Sequence, residues 1–249
     1  MIELSQKTAL VLGGSRGIGA AIALTLARQG ADVAITYARS AERAQSVIEQ
    51  VRKAGRKGLA IQADALERGA TARAVDAVAS EFGRVDILVS AAGIFDAAPI
   101  DELDGDRFDA TFDIHVRSVF EAAKAAVPHM PNGGTIVAIG SAFGQVANFP
   151  GLSIYTASKA AVAGLTRALG RELGSRGITV NTVNPGPTDT EMNPADPDKN
   201  PHSVAHAKMM AIGRYGKPEE VAALVAFLAS EHGRLITGQA INADGGWTA

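Results

Sequence analysis

The chain has 249 residues, 47% apolar and 20% charged, with 24 Lys and Arg against 26 Asp and Glu and a formal net charge of -2. That balance excludes intrinsic disorder and a protein that grips nucleic acid by bulk charge, which needs a surplus of cations. The lack of cysteine excludes a disulfide framework, a thiol nucleophile and a thiolate metal site.

Met1–Lys7 lacks the basic-then-apolar layout of a signal segment. A strand is expected at Thr8–Leu12, then a glycine-rich turn, then helical spacing through Ile18, Ile22 and Leu26 to a stop at Gly30. Further strands are expected at Val33–Thr36, Gly58–Gln62, Ile87–Val89, Thr135–Ile139, Thr179–Val183 and Gln239–Asn242. Each is short and apolar throughout rather than alternating, as in parallel strands buried on both faces. Helical patterns lie between them, including Val47 and Val51, Phe108–Val127 and Ile154–Leu173, with Gly55, Gly83 and Gly177 suited to C-caps. The alternation predicts the α/β class: a single domain over 1–249 with a doubly wound parallel sheet of about seven strands and helices on both faces. The uncharged run from Thr135 to Ser158 is broken by Gly140, Gly144, Pro150 and Gly151, so no membrane span and a soluble, cytoplasmic protein are expected. Asn184–Pro201 carries five prolines and reads as one long loop.

The turn Gly13-Gly14-Ser15-Arg16-Gly17-Ile18-Gly19 joins the first strand to a helix N-terminus. Glycine lets backbone approach a pyrophosphate, while free N–H groups and the helix dipole face it. A plain strand–helix turn is the bland alternative. The second strand ends Ile35-Thr36-Tyr37-Ala38-Arg39-Ser40 with no carboxylate for a ribose 2′-hydroxyl. Arg16 and Arg39, with Ser40, instead suit a 2′-phosphate, which favours NADP(H) over NAD; the alternative is two solvated surface arginines.

Tyr155 and Lys159, four residues apart, share one helix face. Ser141 follows the strand Thr135–Ile139, at the strand end where open α/β sheets bind ligands. With the glycine turn, Asp64, Ser90-Ala91-Ala92-Gly93 and Asn184-Pro185-Gly186-Pro187-Thr188-Asp189-Thr190, these landmarks run in order over nearly the whole chain. The sequence resembles a short-chain dehydrogenase/reductase, nearest the bacterial 3-oxoacyl-carrier-protein reductase and carbonyl reductase branch.

The resemblance implies an NADP-dependent enzyme that converts a carbonyl (a ketone, β-ketoester or 3-oxoacyl thioester) to a secondary alcohol. It makes Tyr155 the general acid, Lys159 its electrostatic support and the holder of the nicotinamide ribose, and Ser141 the residue that orients the substrate oxygen. An ammonium beside a phenol favours the anion and so eases proton donation. The cofactor set is Gly13, Ser15, Arg16, Gly17, Ile18, Gly19, Tyr37, Arg39, Ser40, Asp64, Ala65, Ala91, Ala92, Gly93, Tyr155, Lys159, Pro185, Gly186, Thr188 and Thr190. Asp64 would meet the adenine amino group, Ala92-Gly93 the adenosine ribose, and Pro185 to Thr190 the nicotinamide. Individually Ser141 and Asp64 also read as caps, and Thr188 as a hydroxyl satisfying a loop backbone. Relatives imply a homotetramer that pairs the Phe108–Val127 and Ile154–Leu173 helices and the last strand.

Four departures stand out. Ser90 and Ala91 replace two side-chain amides, Leu12 stands where threonine is common, and the Ser141–Tyr155 gap is one residue longer than usual. His115 occupies the place of an asparagine that completes the family's tetrad. It reads either as a partly buried histidine bonded to a backbone carbonyl or as a fourth catalytic residue holding a proton-relay water. The second reading predicts an ionisation between roughly pH 5.5 and 7.5. His202 and His206 lie in the loop region with no third ligand, so no metal is expected. The segment around 187–210 is expected to cover the substrate, with Met192, Met209 and Met210 as an adaptable apolar lid. The alternatives are an NAD-linked alcohol dehydrogenase and a nucleotide-binding regulatory protein with weak catalysis. No nucleic-acid or membrane partner is expected.

Overall fold

The computed structural model describes residues 2–130 and 133–249. Seven strands form one parallel sheet: β1 (Thr8–Leu12), β2 (Asp32–Tyr37), β3 (Gly58–Gln62), β4 (Ile87–Ser90), β5 (Thr135–Ile139), β6 (Thr179–Pro185) and β7 (Ala240–Ala243). Their order is β3-β2-β1-β4-β5-β6-β7. The chain winds outward from β1 in both directions, and the order reverses between β1 and β4. Such a switch point opens a crevice at the strand carboxyl ends, because the helices leaving neighbouring strands go to opposite faces.

Successive strand residues point to opposite faces. Ala9 and Val11 therefore join one apolar cluster with Ile22 and Leu26 of α1 (Gly17–Arg28), Ile48 of α2 (Ala41–Lys53) and Val221 and Val225 of α8 (Pro218–Ala229). Leu10 and Leu12 join the other, with Val75 and Val78 of α3 (Ala70–Phe82), Ala122 and Ala126 of α5 (Ser118–Ala126) and Leu173 of α6 (Ser153–Leu173). Leu10, Leu12, Ile22 and Leu26 are fully buried, each stabilising the fold by roughly 1.5–3 kcal/mol. No helix among the described residues is long and apolar enough to cross a membrane.

The expected strands all form, β1, β3 and β5 with the expected bounds and the other four with ends shifted by one or two residues. The largest shift is at β6, which runs on to Pro185 because Asn184 and Pro185 pair with Asn242 and Ala243 of β7. That pairing depends on a partner 58 residues away and leaves no mark in local apolarity. Two further differences matter for the site. The pattern Phe108–Val127 is divided into α4 (Gly105–Phe112), a π-helical turn at Asp113–Arg117, and α5. The proline-rich stretch leads into a short helix, α7 (Ser203–Met209), so His206 is helical and His202 sits at that helix's N-cap.

Candidate active site

The carboxyl ends of β1, β4, β5 and β6 open onto one cleft of about 1250 Å³. It is lined by Gly13, Ser15, Arg16, Gly17, Ile18 and Gly19 of the glycine turn, by Tyr37, Arg39 and Ser40 after β2, and by Asp64 and Ala65 after β3. Ala91, Ala92 and Gly93 follow from β4, Ser141 from β5, Tyr155 and Lys159 from α6, and Pro185, Gly186, Thr188 and Thr190 from the end of β6. Of the residues expected to be catalytic or to bind the cofactor, His115 alone does not line it.

The glycine turn is closed by contacts that exclude side chains. A Cβ on Gly13 would lie 2.8 Å from the Ala92 backbone, and one on Gly19 would lie 2.2 Å from the Gly13 carbonyl oxygen. Thr36 pins the turn, its hydroxyl accepting the Gly13 N–H at 2.9 Å. The first turn of α1 carries no carboxylate, and its N-cap residue Arg16 makes no side-chain capping bond. The helix N-terminus therefore meets the cleft with its positive end unneutralised, which fits a pyrophosphate. Arg16 pairs with Glu191 at 3.8 Å, and Arg43 of α2 holds the same carboxylate at 2.5 Å. These side chains are about half exposed, and exposed ion pairs of this kind are worth about 0–1 kcal/mol, so a bound phosphate competes readily for Arg16.

Asn184 holds the base of the site. Its Oδ1 accepts the Ser141 N–H at 3.2 Å, and its Nδ2 donates to Asn242 Oδ1 at 3.1 Å. A side chain at Gly140 would collide with that amide, a Cβ lying 2.1 Å from Asn184 Oδ1. Ser141 Oγ accepts the Phe143 N–H at 3.2 Å, so it caps a turn while its proton stays free to be donated. Asp64 likewise closes a turn, accepting the Leu66 N–H at 3.0 Å, but the N-cap of α3 is Gly69. Thr188 Oγ1 donates to the Gly186 carbonyl at 3.0 Å. The Ser90 hydroxyl, standing where relatives carry an amide, is buried and has no partner among the described residues.

Lys159 is buried, its Nζ donating to the Ile139 carbonyl at 3.1 Å and lying 5.6 Å from the centre of the Tyr155 ring. Burial pushes its pKa down to about 8. Burial also drives the Tyr155 phenol above its ordinary value, opposed in part by the Ser141 hydroxyl. The sequence leads one to expect a phenol lowered by Lys159; in the folded chain burial is the larger influence, and the phenol keeps its proton near neutral pH.

His115 differs most from its expected part. The π-helical turn swings it inward, where it is 2% exposed. Its Nε2 accepts the Ile94 N–H at 3.2 Å, and its Nδ1 lies 2.9 Å from Ser158 Oγ, which donates to the Tyr155 carbonyl at 2.8 Å. An acceptor at Nε2 places the proton on Nδ1. The imidazole thus ties the loop after β4 to the helix that carries Tyr155, and it bonds a backbone N–H rather than the expected carbonyl. Burial, then the Lys159 charge, push its pKa down to about 3. The expected ionisation between roughly pH 5.5 and 7.5 is therefore replaced by a ring that stays neutral throughout that window. Because the folded value lies below the ordinary 6.5, the unfolded chain binds the extra proton, and stability falls as pH drops from 6.5 towards 3. His115→Asn should lose less stability than the parent between pH 6 and 4 in urea titrations, and parallel losses would contradict the buried neutral ring.

The sequence missed an aromatic wall. Phe95, Phe143, Phe149, Trp247 and His206 line the cleft beside Tyr155. Trp247 follows β7, in a turn whose N–H groups at Gly246 and Thr248 are held by the Asp244 carboxylate at 3.0 and 3.1 Å. Of the three methionines expected in the lid, Met192 lines the cleft and neither of the others does. Met209 is exposed, and Met210 is buried against Ala142 and Trp247.

A family model described as Enoyl-(Acyl carrier protein) reductase matches residues 13–248. A crystal structure of a short-chain dehydrogenase from Burkholderia cenocepacia J2315 in complex with NADP is 53% identical, covering 99% of this chain and 100% of that one, with a TM-score of 0.96. The short-chain dehydrogenase/reductase FrzI of a Cladobotryum species is 43% identical over 98% of this chain and 96% of its own length. The 3-oxoacyl-[acyl-carrier-protein] reductase FabG of Staphylococcus aureus (strain Mu50) is 39% identical over 96% of this chain and 97% of its own. With likeness of this degree over nearly the whole chain, on a doubly wound sheet with Ser141, Tyr155 and Lys159 gathered at one cleft, the chain belongs to the short-chain dehydrogenase/reductase family.

Proposed function

We propose that the chain is an NADPH-dependent ketoreductase that converts a carbonyl to a secondary alcohol. The observation that carries this reading is the meeting of Ser141, Tyr155 and Lys159 in the same cleft as an uncapped, carboxylate-free helix N-terminus. NADPH, when bound, supplies a hydride at nicotinamide C4. Tyr155 gives its phenolic proton to the carbonyl oxygen, so the C=O π bond is replaced by one C–H and one O–H bond. Ser141 donates its free proton to the same oxygen and fixes its position. Lys159, charged below about pH 8, stabilises the phenolate left behind and holds the nicotinamide ribose hydroxyls.

The remaining cleft residues would seat the cofactor: the glycine turn its pyrophosphate, Asp64 with Ala65 its adenine, Ala91 to Gly93 its adenosine ribose, and Pro185 to Thr190 its carboxamide. Tyr37, with no carboxylate beside it, leaves the 2′-phosphate to Arg16, Arg39 and Ser40. Arg39→Ala should raise the KM for NADPH roughly ten- to a hundredfold, the worth of one charge-assisted contact, and leave that for NADH within about twofold. Equal changes for both cofactors would make Arg39 a plain surface charge. The chain acts as one domain in this reading, with the segment 187–210 over the substrate. Phe108 and Phe120, 45% and 48% exposed on α4 and α5, and the open edge of β7 support a homotetramer.

The direct test is oxidation of NADPH against NADH over ketones, β-ketoesters and 3-oxoacyl thioesters. A nucleotide-binding regulator would bind NADPH and oxidise none of it with any carbonyl.

A further inference from the structure

We propose that the substrate is an uncharged ketone carrying an aryl ring beside its carbonyl, seated against Phe143, Phe149 and Trp247. This rests on the ketoreductase reading above and narrows it. Aromatics are only 5% of the chain, yet rings close around one end of the cleft. Phe95 and Phe143 meet the Tyr155 ring near edge-on, at 5.0 and 6.3 Å between centroids. Phe143 meets Trp247 at 5.9 Å and 88°, Phe149 meets Trp247 at 6.1 Å, and His206 lies 5.4 Å from Phe149. A carbonyl oxygen held at Tyr155 therefore has ring surface within one ring's reach on several sides. Ring quadrupoles reward a planar aromatic partner over a saturated one of similar volume.

Few charged side chains line this end of the cleft. Lys159 is committed to the Ile139 carbonyl, and Lys199 is paired with Asp196 at 3.3 Å. His206 Nδ1 is engaged by the Tyr215 hydroxyl at 3.1 Å, and that hydroxyl is itself bonded to Asn193 and Asn200. At the mouth the exposed side chains Phe95 and Met192 are apolar. Of the lysines that line the cleft among the described residues, Lys159 is buried and Lys199 alone is exposed, whereas a neutral ring meets the aromatic side chains of Phe143, Phe149 and Trp247.

Trp247 is the sole tryptophan and lines the cleft, so its emission reports occupancy without turnover. Cofactor-free protein would be titrated with 1-phenylethanol and with 1-cyclohexylethanol. The phenyl alcohol should saturate the change in emission at about tenfold lower concentration, the size of one or two ring–ring contacts. In parallel, kcat/KM for acetophenone should exceed that for cyclohexyl methyl ketone by about tenfold, and Phe149→Leu and Trp247→Leu should each shrink that ratio severalfold. Equal titration by the two alcohols, or a ratio that neither variant moves, overturns the aryl assignment. Preferential quenching with no carbonyl reduced would keep the ring site and overturn the ketoreductase reading instead.

Discussion

Tyr155→Phe is expected to lower kcat by about 10²–10⁴-fold, the usual contribution of a positioned general acid, with the Kd for NADPH within about twofold of the parent. The substitution removes one oxygen and keeps the ring, so the edge-on contacts with Phe95 and Phe143 survive. The bond from Ser158 also survives, because it ends on the backbone carbonyl of Tyr155. Burial holds the phenol above its ordinary pKa, so the parent carries the proton at neutral pH and has it to give. Retention of most of the turnover by the phenylalanine variant would remove Tyr155 from the proton path.

Lys159→Met should cut kcat/KM by about a hundredfold or more and weaken NADPH binding by roughly tenfold, the loss of one charged hydrogen bond. The parent's kcat/KM should fall as pH rises through about 8, where the ammonium loses its proton; the methionine variant should lack that limb. Stability moves differently. A lysine whose folded pKa lies below 10.5 binds fewer protons than the unfolded chain between about 8 and 10.5, so it lowers stability below that window, by about 3 kcal/mol. Methionine relieves this cost but leaves the Ile139 carbonyl without its donor, a penalty of about 1–3 kcal/mol. The two nearly cancel, so a Tm close to the parent's should accompany the collapse in activity. A large fall in Tm would show that Lys159 acts through folding.

What could be read from the chain beforehand follows from the range of the forces involved. Strand apolarity, glycine stops and the Tyr155–Lys159 spacing are local, and they located the sheet and brought Tyr155 and Lys159 to one cleft. Nothing local says that a π-helical turn draws His115 into the interior, where its Nε2 meets Ile94 and its Nδ1 meets Ser158, 43 residues on. The substitution for asparagine was visible; the consequence, a neutral strut in place of a titrating relay, needed the burial. Asn184 was read as part of a loop, yet β7 draws it into a strand where it holds Ser141. The aromatic wall was hidden for the same reason. Its rings come from the ends of β4 and β5, the approach to α6, α7 and the turn after β7, and only the folded chain brings them together.

Every role proposed for the cleft depends on hydride transfer to a carbonyl with Tyr155 as the acid. NADPH deuterated at the transferred C4 position, with a ketone substrate and the alcohol product analysed by mass spectrometry, tests it most directly. The parent should place one deuterium on the carbinol carbon for each cofactor oxidised, and Tyr155→Phe should yield almost no labelled alcohol. Saturable NADPH binding that yields no labelled alcohol from any carbonyl would contradict it.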